Sequence, residues 1–133
     1  MVDRVIFACV HSAGRSQIAS AWFNAFAHPD RAHAEAAGTQ PAARLHPEVV
    51  LAMKSEGIDL SARTPQLLTA DLARGAKLLI TMGCKEKCPV VPGVERDDWP
   101  FDDPKGKSPE AIEKISDAIR SRVEKLINAR GWR

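Results

Sequence analysis

The chain contains no tyrosine, and aromatic residues make up only 5% of its 133 positions. A pocket built to grip an aromatic ring would therefore have few walls. An excess of charge of either sign is also missing. Nineteen Lys and Arg against 17 Asp and Glu leave a net charge of +2, too little to argue for a nucleic-acid or membrane partner. No apolar run approaches the length that spans a bilayer. The N-terminus, with Asp3 and Arg4 beside a short apolar stretch, lacks the form of a signal peptide, so a cytoplasmic protein is expected. Three cysteines are too few for a disulfide framework. In a reducing compartment they rest as thiols, and their odd number favours chemistry over scaffolding. Internal repeats, low-complexity tracts and linkers are absent as well, which points to one domain over residues 1–133 with a single core.

What is present alternates between two periodicities. Residues 4–9 read as a buried strand. Residues 15–27 follow as a helix with Ile18, Trp22 and Phe26 on one face. Residues 33–37 read as a weak strand and 46–56 as a helix with Val49, Val50 and Met53 inward. A short helix is predicted within 64–74, a central strand over 77–82 and an edge strand over 94–99. Ser108-Pro109-Glu110 combines an N-cap, a first-turn proline and a first-turn acid. It opens a last helix to about Arg130, with Ile112, Ile115, Ile119, Val123 and Leu126 as its stripe. Strands alternating with helices predict an α/β fold with a parallel sheet and helices on both faces. Ligands of such sheets bind beyond the carboxyl ends of the strands.

One such end carries Cys9-Val10-His11-Ser12-Ala13-Gly14-Arg15-Ser16. By composition alone Cys9 is a buried thiol at a strand end and Arg15 an ordinary helix start. The strand–loop–helix setting and the small residues Ser12, Ala13 and Gly14 favour another reading. A loop from Val10 to Ser16 can turn its backbone N–H groups inward as an anion nest. The following helix aims its positive end at the same point. Arg15 adds a planar fork for two oxygens of a tetrahedral anion. That electropositive setting favours a nucleophilic Cys9 thiolate.

A second cysteine pair, Cys84-Lys85-Glu86-Lys87-Cys88-Pro89, follows the central strand. Half a zinc site and two incidental core thiols are the alternatives to a redox pair. Structural zinc needs about four ligands, and His11, His28, His33 and His46 show no metal-site spacing. Neither a metal nor a cofactor is expected. The charged residues between the cysteines argue against a core position. Four residues apart on a helix puts their Cα atoms roughly 6 Å from each other, within disulfide range. Cys84 is then able to attack a sulfur held in the first loop, and Cys88 to attack Cys84. A thiolate that attacks an oxyanion also needs its leaving oxygen protonated. Asp102 and Asp103, before Pro104, are the candidates, with Asp103 preferred because the Asp-Pro unit fixes its geometry. Most Asp-Asp-Pro strings are solvated turns, so this signal depends on its place beside the Cys9 loop. His46 and Trp99 read as packing or capping residues.

The ordered set of these pieces resembles the low-molecular-weight tyrosine phosphatase superfamily, and within it the thioredoxin-coupled arsenate reductases. The resemblance covers essentially the whole chain. It rests on Cys9-x5-Arg15-Ser16-Gln17, Ala37-Gly38-Thr39, His46-Pro47, Gly57-Ile58-Asp59-Leu60, Thr81-Met82-Gly83-Cys84 with Cys88-Pro89, and Trp99-Pro100-Phe101-Asp102-Asp103-Pro104. It implies a single-domain three-layer α/β/α fold with a four-stranded parallel sheet. It also implies a cycle in which Cys9 attacks arsenate, Asp103 protonates the leaving oxygen and Cys84 attacks the Cys9–arsenic adduct, releasing arsenite. A Cys9–Cys84 disulfide passes to Cys84–Cys88, which thioredoxin reduces. A monomer is expected, with no nucleic-acid or membrane partner. Two departures stand out: Ser12 replaces the family's usual loop Asn, and only three residues separate Cys84 from Cys88.

Two rivals remain. A tyrosine phosphatase would use Cys9, Arg15 and Asp103 alone. Against it stand the missing tyrosines, Lys105 after Pro104 where those phosphatases resemble one another in carrying Tyr, and the idle Cys84 and Cys88. A non-enzymatic thiol module that binds arsenite or zinc through its three cysteines would have no use for Asp103.

Overall fold

The computed structural model describes residues 2–83 and 93–133. Four strands and four helices follow one another along them: β1 (Asp3–Cys9), α1 (Arg15–Phe26), β2 (Ala32–Gly38), α2 (Pro47–Ser55), α3 (Ala70–Ala73), β3 (Leu78–Thr81), β4 (Glu95–Asp98) and α4 (Pro109–Arg130). The strands form one sheet in the order β2-β1-β3-β4, and every pairing is parallel. The expected four-stranded parallel sheet is therefore present. The order runs outward from β1 to β2 on one side and through β3 to β4 on the other. The strand ends beside β1 thus form the crevice where such folds place ligands.

Alternation along β1 sorts the core. Val5, Phe7 and Cys9 join Ile18, Trp22, Phe23, Val49, Met53, Ile119 and Val123 in the larger apolar cluster. Ile6 and Ala8 face the opposite way, toward Leu68, Ala73 and Ala76. One face of the sheet is thus packed by α1, α2 and α4. Among the described residues the other is covered by α3 and the chain leading into it. The helix expected within 64–74 shrinks to Ala70–Ala73. The reason lies at its N-terminal end. Pro65 biases Thr64 toward an extended backbone, and the next residues pair with the end of β2. Gly38 N donates to Gln66 O at 2.9 Å, and Leu68 N donates to Gly38 O at 2.7 Å. Backbone groups committed to β2 are not available for a helix.

The last helix starts and stops as its sequence signals predict. Ser108 Oγ accepts from Ala111 N at 3.2 Å, and Gly131 closes the helix at φ 71°. Its buried stripe differs from the expected one by two positions. Ile112, Ser116, Ile119, Val123 and Ile127 are buried, whereas Ile115 and Leu126 are only partly so. Ser116 holds a core place because Trp22 Nε1 donates to its hydroxyl at 3.0 Å, which satisfies both buried polar groups. In α1, Ile18 and Trp22 are buried as predicted, and Phe26 stacks on Trp22 with ring centroids 5.6 Å apart. Ser16, Gln17 and Ser20 are buried on the same helix, which an apolar stripe does not anticipate.

Candidate active site

Strand β1 delivers Cys9, 3% exposed, to the central strand end. From there the chain turns through Val10–Gly14 into α1, and its carbonyls are tied outward one after another. Cys9 O accepts from Thr39 N at 3.3 Å, Val10 O from Gln40 N at 2.8 Å and His11 O from Ala42 N at 3.0 Å. Ser12 O accepts from Gln17 Nε2 at 3.0 Å. Ala13 O accepts from His46 N and Gly14 O from Ile18 N, each at 3.0 Å. Six successive acceptors thus bond to groups on the chain after β2, to α1 and to the start of α2. With its carbonyls engaged elsewhere, a loop of this kind can offer its intervening N–H groups as an anion nest. The first-turn N–H groups of α1 have no intrahelical acceptors. Its N-cap, Gly14, supplies no side-chain cap, so the positive helix end opens on the same point.

Ser12 occupies the strained position of this loop, at φ 51° and fully buried. The left-handed region disfavours most L-residues. Here the conformation is held by side-chain bonds. Ser12 Oγ accepts from Gln17 Nε2 at 3.2 Å and shares a hydrogen bond with Ser16 Oγ, also at 3.2 Å. The bracing that the resemblance assigns to an Asn is provided by Ser12 together with Gln17 and Ser16. Cys9 Sγ lies 3.2 Å from Ser16 Oγ. Within the loop, His11 is exposed, with Nδ1 3.1 Å from Gln40 O, while Val10 is half-buried against the smaller core cluster.

Arg15 is placed by two elements that sequence spacing does not connect to it. Its Nη1 donates to Phe101 O at 3.0 Å. Gly83, at φ 105°, lies so close that a Cβ there would come within 2.7 Å of the same Nη1. Glycine at 83 is required both by the backbone conformation and by this approach. Gly14 has a similar role on the far side, since a Cβ there would meet Pro104 Cγ at 2.8 Å. Pro104 thereby brings the loop after β4 against the Cys9 loop. Asp103, next to it, is exposed, and its Oδ1 accepts from Lys105 N at 3.0 Å. Glu48, in the first turn of α2, holds the far end of that loop by accepting from Gly106 N at 3.1 Å. Hydrogen bonds from its own backbone and from Gly106 keep the Glu48 carboxyl below the usual range.

The structure thus brings together Cys9, the Val10–Gly14 loop, Arg15, Ser16 and the loop that carries Asp102 and Asp103. Cys84 and Cys88 lie outside the described residues. Among the described residues, no group of three or more His, Cys, Asp or Glu is arranged to hold a metal, and no helix is long and apolar enough to cross a membrane. His46 occupies the N-cap position of α2 without a side-chain capping bond, and its backbone N tethers Ala13 O. Trp99, 2% exposed, packs on Phe7 and donates from Nε1 to Asp97 at 2.9 Å. Trp99 is thus a packing residue, as the sequence suggested, while His46 acts here through its backbone. Sequence reasoning named Gln17 and Gly38 within the motifs of the resemblance but gave them no role, and it missed Ser20 and Arg63. A Cβ on Gly38 would meet Val10 O at 2.6 Å and Ser12 N at 2.9 Å, so this glycine makes room for the loop. The only available signal for Ser20 was polarity on the inward side of an amphipathic helix.

This architecture matches known proteins along nearly its whole length. The family model of low molecular weight phosphotyrosine protein phosphatases covers residues 4–130. A relative from Halobacterium salinarum is 37% identical over 130 residues, 92% of this chain and 89% of that protein. The arsenate reductase of Brevibacillus brevis is 32% identical over 134 residues, 92% of each chain. The solved thioredoxin-dependent arsenate reductase of Corynebacterium glutamicum superposes with a TM-score of 0.82 at 37% identity. The match covers 96% of this chain but 61% of that one, so the two share a module and not a full length. The chain belongs to the low molecular weight phosphotyrosine protein phosphatase family, among its arsenate reductase homologues.

Proposed function

We propose that the protein reduces arsenate to arsenite by a relay of three thiols, with a thioredoxin as the electron donor. The observation that carries this reading is the outward tethering of every carbonyl from Cys9 to Gly14, which leaves amides, a helix N-terminus and Arg15 around one sulfur. Such a cradle fits a small tetrahedral oxyanion and stabilises charge that develops on it during attack. Main-chain donors from Val10 to Ser16 and the Arg15 guanidinium hold the anion. The Cys9 thiolate attacks arsenic, and Asp103 gives a proton to the departing oxygen, which leaves as water. The Cys84 thiolate then attacks Cys9 Sγ. A Cys9–Cys84 disulfide forms, the sulfur–arsenic bond breaks, and its electron pair stays on arsenic, giving arsenite. Cys88 attacks Cys84 and frees Cys9. The dithiol of thioredoxin reduces the Cys84–Cys88 disulfide, so two electrons enter for the two that arsenic takes up.

The anion cradle by itself does not choose between arsenate and a phosphate ester, which have the same shape and charge. The family model is named for phosphatases, and that second reading needs Cys9, Arg15 and Asp103 but neither Cys84 nor Cys88. The relatives named as arsenate reductases favour the first. The test is NADPH consumption with arsenate, thioredoxin and thioredoxin reductase, run for the unsubstituted protein and for Cys9→Ser, Cys84→Ser and Cys88→Ser. Loss of turnover in all three is expected. Full turnover by Cys88→Ser would remove the last step, and phosphatase activity that survives Cys84→Ser without any arsenate turnover in the parent would favour the rival.

A further inference from the structure

Beneath the Cys9 loop lies a cluster of polar side chains whose hydroxyl and amide groups take no part in the proposed chemical steps. Ser12, Ser16, Gln17 and Ser20 are each no more than 2% exposed. Arg63, in the chain after α2, reaches into them. Its Nη1 donates to Ser20 Oγ at 2.6 Å and to Gln17 Oε1 at 3.3 Å. Gln17 Nε2 in turn donates to Ser12 O at 3.0 Å and to Ser12 Oγ at 3.2 Å. Ser12 Oγ lies 3.2 Å from Ser16 Oγ, which lies 3.2 Å from Cys9 Sγ. Among the described residues no carboxylate forms an ion pair with Arg63. Burial pushes its guanidinium below the ordinary arginine range. A partly buried cation without an acid partner is costly, and here its hydrogen bonds lead only to neutral groups that end at the nucleophile.

The direction of these bonds follows from donor chemistry. A guanidinium only donates. Gln17 must therefore turn Oε1 to Arg63 and Nε2 to Ser12, which settles its amide orientation. Ser12 Oγ receives that N–H and keeps its own proton for Ser16 Oγ, 3.2 Å away. A Cys9 thiolate can only accept, so with the sulfur ionised the Ser16 proton turns to it across 3.2 Å and the Ser12 proton to Ser16. A chain in which every donor points toward the sulfur suits a thiolate. It opposes a thiol, whose S–H needs an acceptor at the same place. We propose that Arg63 is a positioning residue that, through Gln17, Ser12 and Ser16, orients a one-way chain of donors onto the Cys9 sulfur and so favours its ionised form. This rests on the reading of Cys9 as the nucleophile.

Alkylation of Cys9 by iodoacetamide tests the idea without arsenate. The background is Cys84→Ser with Cys88→Ser, which leaves one thiol, and labelling is followed by mass spectrometry as a function of pH. The other titratable and charged groups on the elements around this sulfur are His11, Arg15, His46, Asp102 and Asp103, and all are left intact. Arg63→Met is expected to slow alkylation at neutral pH about threefold or more and to carry its pH profile toward higher pH. Arg63→Lys, which keeps a charge and donors, should recover most of the rate. Gln17→Glu still accepts from Arg63 but cannot donate to Ser12, and should slow labelling at least as much as Arg63→Met. Thermal melts on the same samples separate folding from reactivity. An unshifted alkylation profile in folded Gln17→Glu, or in folded Arg63→Met, overturns the proposal, even if the melting temperature falls. A shifted profile in a protein that never turns over arsenate would leave the positioning role standing and remove the reductase reading instead.

Discussion

The loop that holds Cys9 and the loop that holds Asp103 meet where Pro104 lies on Gly14, yet they are built in opposite ways. The first is buried from Ser12 to Gly14, and each of its carbonyls is engaged. The second exposes Asp102 and Asp103 and is held at its ends, by Phe101 O on Arg15 and by Glu48 on Gly106. The contrast has a physical reason. A cradle for developing charge works best when its dipoles are already fixed, so that none has to reorganise during reaction. On the proposed reading Asp103 gives up a proton and regains one from solvent, which its exposure permits.

Substitutions that attack one loop and spare the other sharpen this comparison. The largest effect is expected at the exposed loop, where Asp103→Ala should slow arsenate turnover by about 10²–10⁴-fold with little change in melting temperature. Steady-state kinetics and a thermal melt check both halves of that expectation, and a non-enzymatic metalloid binder would be indifferent to the change. Next comes Gly38→Ala, which drives a methyl group into Val10 O and Ser12 N. Overpacking of this kind costs roughly 1–3 kcal/mol. It should lower both stability and turnover, since it distorts the rigid loop itself, and equal activity at reduced stability would contradict the need for a fixed cradle.

Smaller effects test the tether of the exposed loop. Glu48→Gln keeps an acceptor for Gly106 N but removes the charge, so turnover should fall no more than a few-fold. The folded Glu48 carboxyl titrates below its ordinary value. Its contribution is therefore present above the unfolded value near 4.5 and is lost as pH falls through the folded one. A melt series downward from pH 6 should show the parent losing stability faster than Glu48→Gln. The opposite sign is expected at Glu56, far from either loop. Desolvation first, then Asp117 and Glu113, raise its carboxyl above the usual range. The folded state binds that proton more tightly, so stability from this group is present at low pH and declines as pH rises through the folded value. Glu56→Gln should raise the melting temperature slightly at pH 7 and leave it unchanged near pH 4.

Several parts of this molecule were legible before any coordinates. The Ser108-Pro109 start and Gly131 stop of α4 depend on local capping and turn conformation, which neighbouring residues decide. The same holds for the strand ending at Cys9 and the helix starting at Arg15. Elsewhere local preference lost to distant partners. Residues 66–68 lie extended because Gly38 offers them a backbone edge. Ser116 is buried where an isoleucine was expected because Trp22 needs an acceptor. Ser12 tolerates a left-handed backbone because Gln17 and Ser16 brace it.

The order of residues alone determined that a cysteine, a loop of small residues and an arginine would stand between a strand and a helix, because those relations span only a few residues of backbone. Which groups secure them was a matter for the folded chain. Gly83 and Phe101 at Arg15, Gly38 behind the loop and Arg63 beneath it lie between 26 and 86 positions away in sequence from the residues they serve. Only the closure of the parallel sheet brings them near, since parallel strands are joined by long crossovers and their ends meet in space without being neighbours along the chain.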